Sequence, residues 1–118
     1  MRLIAQHIME ILKANPKYAK FKHLRPILTI FNLVELHYAV LPETGIELAD
    51  ELLAKYSIYN VSVDNETIKQ ANKFKYKHKK KKLSTADVIG YSIAFTLGIK
   101  FLTGDEQFRN LDNVEFVK

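Results

Sequence analysis

The stretch from Ser84 to Asp105 constrains the fold more than any other part of the chain. Ser84-Thr85-Ala86-Asp87 opens a helix that runs to Leu97 and closes on Gly98 as a C-cap, and Ile99-Lys100-Phe101-Leu102-Thr103 follows at once as a strand. The same alternation extends in both directions. Pro26-Ile27-Leu28-Thr29-Ile30 reads as a short buried strand, Phe31 to Leu41 as a helix stopped by Pro42, Gly45 to Lys55 as a second helix and Ser57 to Val61 as a strand. Asp64 to about Lys81 reads as a long helix, Asp105 to Asn110 as a short one and Val114 to Val117 as a last strand. At the front, Leu3, Ile4, Ile8, Ile11 and Leu12 recur at helical spacing, which predicts an amphipathic helix over residues 2–14, and a lysine-rich connection follows to about Arg25. Strands alternating with helices argue for an α/β fold, a parallel sheet with helices on both faces. Functional groups in such sheets gather at the carboxyl ends of the strands.

At 118 residues the chain is one domain, spanning 1–118, without length for a second core. The absence of cysteine excludes disulfides, zinc ribbons, thiolate nucleophiles and iron–sulfur clusters. The longest apolar run, Tyr91 to Ile99, is far short of a membrane span, and polar Gln6, His7 and Glu10 interrupt the N-terminus, so no signal peptide is read there. The expected setting is cytoplasmic. The net charge of +5 is uneven: Lys69 to Lys82 holds eight lysines and no acid, and the remainder of the chain comes to −3. A block of that kind draws phosphate-rich polymers in a salt-dependent way, or is a solvated helix face. Phe74, Tyr76 and His78, placed among the lysines, are candidates for base stacking, with Phe74 equally suited to packing inward.

Three acids fall where strand ends are expected. Glu35 lies one turn into the helix after Ile27–Ile30, Asp87 in the first turn after Ser84, and Asp105 directly after the strand, in Thr103-Gly104-Asp105. Each has an ordinary explanation. Asp87 completes a capping box with Ser84, Asp105 is an N-cap for the next turn, and Glu35 is a snorkelling surface residue beside Phe31 and Tyr38. Together they are three hard oxygen ligands suited to Mg²⁺ or Mn²⁺, an ion that activates water and stabilises charge on a phosphoryl group. No HxxxH or HExxH spacing, GxGxxG, GxxxxGK[ST] or GxSxG motif is present, so zinc, dinucleotide, P-loop and serine-hydrolase chemistry lack support.

Thr29-Ile30-Phe31-Asn32-Leu33-Val34-Glu35-Leu36, Leu83 to Ala94, and Leu102-Thr103-Gly104-Asp105-Glu106-Gln107-Phe108 resemble three acid-bearing segments of PIN domains, the last two adjacent and in the family's order and spacing. The resemblance spans roughly Ile27 to Val117. It implies a three-layer α/β/α fold with a central parallel sheet and, in the small stand-alone members, a VapC-type toxin ribonuclease that forms homodimers and is silenced by an antitoxin. By the same resemblance Glu35, Asp87 and Asp105 are metal ligands, and Thr103 supplies an assisting hydroxyl. Lys79, Lys80, Lys81 and Lys82 would steer RNA without reading its sequence. One feature of the family has no counterpart: PIN domains open with a strand ending in an aspartate, whereas the first aspartate here is Asp50. The first strand and first acid are therefore expected to be missing, through truncation, a start placed too late, or decay of the enzyme. The alternatives are a non-catalytic module that binds RNA or a protein, and a receiver-like domain.

Overall fold

The computed structural model describes residues 26–117 and the backbone of residues 3–5. Its best-covered element is the helix Thr85–Leu97, whose residues from Ala86 to Ala94 are all buried. Ser84 caps it, its hydroxyl accepting the Asp87 N–H at 3.1 Å. Gly98 ends it at φ +68, a left-handed conformation that disfavours any residue with a Cβ. The chain then turns straight into the strand Lys100–Thr103, of which Phe101, Leu102 and Thr103 are buried.

That strand is the middle of a three-stranded parallel sheet. On one side it pairs with Val114–Phe116, in the register Phe101↔Val114 to Thr103↔Phe116. On the other it pairs with Leu3–Ala5, from Leu3↔Lys100 to Ala5↔Leu102. In chain order these strands are β1 (Leu3–Ala5), β2 (Lys100–Thr103) and β3 (Val114–Phe116).

β1 corrects the expected helix over 2–14, whose remaining residues lie outside those described, as does the connection to Arg25. A buried middle strand needs partners for the N–H and C=O groups on both its edges, and that demand overrides a local helical spacing. A strand thus flanks β2 where the sequence shows no family-like first strand. It ends on Ala5, and the next residue is Gln6, so no carboxylate closes it.

The helices, in chain order, are α1 (Ile30–Thr44), α2 (Ile46–Ser57), α3 (Asn65–Lys77) and α4, the helix Thr85–Leu97. α1 starts in a buried capping box: Thr29 N–H and hydroxyl donate to Asn32 Oδ1 at 2.9 and 3.1 Å, and Asn32 N–H returns to Thr29 Oγ1. It runs through Pro42, where a stop was expected. Pro42 sits in the last turn, so its missing N–H costs one bond, to the carbonyl of the exposed Tyr38. Gly45 at φ +85 makes the actual break. α1 and α2 pack through Leu36, Val40 and Ala49, with Leu41, Leu52 and Tyr56 at the margin.

The strands expected at 26–30 and 57–61 shrink to isolated bridge residues, with Leu28 paired in parallel to Asn60. That pair is held by Leu28 N–H to Tyr59 O at 3.1 Å and Val61 N–H to Leu28 O at 2.8 Å. The Thr29 cap draws Ile30 into α1, and Ser57 is taken by the last turn of α2, which leaves too few residues for a longer ladder. α3 also ends earlier than expected, at Lys77, where His78 caps it. The main core joins α4 to the sheet and α3 through Val88, Ile89, Tyr91, Ile93, Phe101 and Phe108. Among the described residues no helix is long and apolar enough to cross a membrane.

Candidate functional site

The topology brings the acids to one edge of the sheet. α4 feeds β2 through Gly98, so the start of α4, with Asp87, lies at the end of the sheet where β2 finishes and Asp105 follows. α1 leaves its parallel bridge at Thr29 and carries Glu35 from the corresponding end of that pair. The local chemistry holds each in place. Thr103 Oγ1 accepts the Asp105 N–H at 3.1 Å, and Asp105 Oδ1 accepts the Gln107 N–H at 2.9 Å, opening the 3₁₀ turn Glu106–Phe108. Asp105 is thus the N-cap its sequence suggests, with its second oxygen outside the cap. Thr103 is fully buried, and its hydroxyl orients the Thr-Gly-Asp turn.

The expected capping box is only half formed: Ser84 accepts the Asp87 N–H, but the Asp87 carboxylate makes no return bond to the Ser84 backbone. Asp87 is 6% exposed, and its Oδ1 is buried without a hydrogen-bond partner. Burial pushes its pKa up to about 6; the Ser84 hydroxyl opposes this, and the charges of Asp105 and Glu35 and a hydrogen bond shared with Asp105 add to it. None of the groups acting on this carboxylate is a cation. A buried acid facing two others, with one oxygen unpaired, is an electrostatic cost that a divalent cation would offset.

Asp87 and Asp105 form the close pair, and Glu35, on an exposed part of α1, acts on Asp87 through its charge. Among the described residues no three His, Cys, Asp or Glu side chains are close enough to enclose a metal ion. The three acids therefore share a field without sharing a ready-made coordination cage. Mg²⁺ tolerates this arrangement, since it keeps several waters and commonly takes one or two carboxylates together with substrate phosphates. The Asp87–Asp105 pair and its orphaned oxygen fit such an ion.

The family model of the PIN domain matches residues 8–114. The chain belongs to the PIN domain family. A toxin–antitoxin complex from Klebsiella pneumoniae contains a chain of the same fold, with a TM-score of 0.76 at 9% identity, covering 98% of this chain and 96% of that one. No curated protein matches the chain in sequence. PIN domains are generally nucleases. In this PIN domain Asp87 and Asp105 lie together at the carboxyl edge of the sheet, with Glu35 acting on Asp87 through its charge, while β1 contributes Ala5 and no acid.

The lysine block is less uniform than its sequence. Lys79, Lys80 and Lys82 are exposed, with the Lys79 ammonium over the Tyr76 ring at 5.2 Å. Lys81 is half-buried and donates to the Gln107 carbonyl at 2.9 Å, pinning the turn that carries Asp105. Phe74 packs inward, its ring 4.3 Å from His78 and 5.1 Å from Tyr91, so Tyr76, 74% exposed, is the aromatic of this block presented to solvent. One group that positions the site was not singled out from the sequence, and one expected to steer RNA proves to be a brace. Asn32 locks the start of the helix bearing Glu35, and Lys81 braces the Asp105 turn. The Thr-x-x-Asn pattern at 29–32 is a legible signal for the first. The second depends on a contact 26 residues away in sequence.

Proposed function

We propose that this PIN domain is a metal-dependent endoribonuclease of the VapC toxin type, hydrolysing RNA phosphodiester bonds. The observation that carries the reading is the buried Asp87 carboxylate, with Oδ1 unpartnered beside Asp105 and within the field of Glu35. Asp87 and Asp105 would hold Mg²⁺ or Mn²⁺ directly, with Glu35 as the third acid. When bound, that ion supplies Lewis acidity, acidifying water and neutralising charge on a phosphoryl group. The chain's own groups do the positioning. The Gln107 N–H holds the Asp105 carboxylate and the Thr103 hydroxyl holds its backbone, Ser84 and burial fix Asp87, and Lys81 braces the turn that follows Asp105. Lys79, Lys80 and Lys82 attract the polyanion. An antitoxin protein, a homodimer and a cytoplasmic setting belong to the same reading; a structural neighbour drawn from a toxin–antitoxin complex supports the antitoxin.

The test is cleavage of single-stranded RNA by this chain in Mn²⁺, in EDTA, and by Asp87→Asn. Cleavage that needs Mn²⁺ and disappears in the variant is the expected result. Equal cleavage by the variant refutes the site. A second reading, a non-catalytic PIN-like module that binds RNA or a protein, draws on the absence of an acid at the end of β1. It predicts RNA binding that survives both EDTA and loss of any carboxylate, with no cleavage.

A further inference from the structure

Between α3 and α4 the residues Gln70, Phe74, Tyr91, Ser92 and Phe95 line a cleft of about 210 Å³. That is below the roughly 300–1,000 Å³ of drug-sized sites, and suits one small planar group. Its walls are aromatic: Tyr91 lies 5.1 Å from Phe74 and 6.4 Å from Phe95, ring centre to ring centre. Phe95 is 61% exposed, so one part of its ring is open to solvent at the cleft. The polar groups are few and placed together. Ser92 is buried, and its hydroxyl makes no hydrogen bond among the described residues; the Gln70 amide has only a long contact, 3.5 Å, with Thr96 Oγ1.

Two lysines lie beside the cleft on the α3 side, outside its lining. Lys73 and Lys77, three and seven positions beyond Gln70 on α3, share its side of the helix. Neither has an ion pair among the described residues, whereas Lys69 is paired with Glu66 and Lys75 donates to Thr85. The cleft also has a fixed relation to the acids. Tyr91 and Phe95 follow Asp87 by one and two turns of α4, about 6 and about 12 Å along the axis.

We infer that this cleft is a base-binding subsite for single-stranded RNA. One unpaired nucleobase stacks on Phe95, its edge meets the Ser92 hydroxyl and the donor–acceptor pair of Gln70, and its backbone phosphate faces Lys73 and Lys77. An aromatic-lined cleft flanked by two lysines fits a nucleotide better than an aliphatic peptide side chain, which would leave the lysines and the amide unmatched. The inference takes its polymer from the ribonuclease reading and adds a place where that polymer is held away from the acids.

The experiment is fluorescence anisotropy with labelled ten-nucleotide oligo(A), oligo(C) and oligo(U) in EDTA, where cleavage is silent. Phe95→Ala should weaken binding roughly 5- to 100-fold, the span covered by losing one base–aromatic stack, without changing the salt slope. Gln70→Ala should alter the ranking of the three oligomers, and Lys73→Gln with Lys77→Gln should flatten the salt dependence. Circular dichroism melts establish that each variant is folded. Unchanged affinity in both Phe95→Ala and Gln70→Ala overturns the subsite. So does a change of mass in sedimentation by Phe95→Ala with RNA affinity intact, which would make the cleft a protein-facing surface. Binding lost in Phe95→Ala, alongside no Mn²⁺-dependent cleavage by the unmodified chain, would uphold the subsite and remove the nuclease reading.

Discussion

Asp87→Asn should make this protein more stable while removing the RNA cleavage proposed for it. The carboxyl rises from 3.8 to about 6 on folding, chiefly by burial. At about 1.4 kcal/mol per pK unit, the ionised form costs the native state about 3 kcal/mol above pH 6. The sign follows from proton counts. Between about pH 4 and 6 the native state holds a proton that the unfolded chain has lost, so stability falls as pH rises through this window and then levels off. Below about pH 4 both states are protonated and the cost vanishes. Asparagine carries no charge at any pH but keeps one oxygen in the unpartnered position, so the gain at pH 8 should be roughly 1–3 kcal/mol. For a domain of this size that is roughly 3–6 °C in Tm per kcal/mol. The assay is urea unfolding of both proteins in EDTA from pH 4 to 8. In excess Mn²⁺ the order should narrow or invert, since a ligand at a hundredfold over its Kd adds about 2.7 kcal/mol to the protein that binds it. A variant no more stable than the parent at pH 8, or a gap that does not close towards pH 4, refutes the picture of an uncompensated buried charge.

Three further outcomes follow from the same geometry. Asn32→Ala leaves the buried Thr29 N–H without its acceptor and should cost about 1–3 kcal/mol in urea unfolding, since no water replaces a buried partner. Gly98→Ala should cost about 1–2 kcal/mol of Tm-derived stability through backbone strain alone, because nothing lies within 4 Å of the added Cβ; Gly98→Asn should recover part of it. Replacing Lys79, Lys80 and Lys82 together by glutamine should lower the salt slope of RNA binding by about 0.7 per lost phosphate contact and leave Tm nearly unchanged, whereas adding Lys81→Gln should also lower Tm, because its ammonium is tied to the Gln107 carbonyl.

Local signals in the sequence carried α4, its Ser84 cap, its Gly98 stop and β2, because each is determined by residues within a few positions of one another. The acids were legible for the same reason: Asp87 and Asp105 sit at fixed places in cap and turn motifs, and those motifs carry the PIN resemblance. What the sequence could not reveal depended on distant partners. Leu3–Ala5 shows helical spacing yet forms β1, since a buried β2 must satisfy both its edges, and the strands at 26–30 and 57–61 lose residues to neighbouring helices. The lysine block reads as one charged run, but packing separates exposed Lys79, Lys80 and Lys82 from Lys81, which braces a turn. The clearest case is Asp87. Its local sequence reads first as a cap; only the tertiary structure, by burying it, orphaning Oδ1 and setting the charges of Asp105 and Glu35 near it, makes it an electrostatic site. Burial and the field of other charges are properties of what surrounds a residue in space, and a linear pattern encodes them only through the fold it produces.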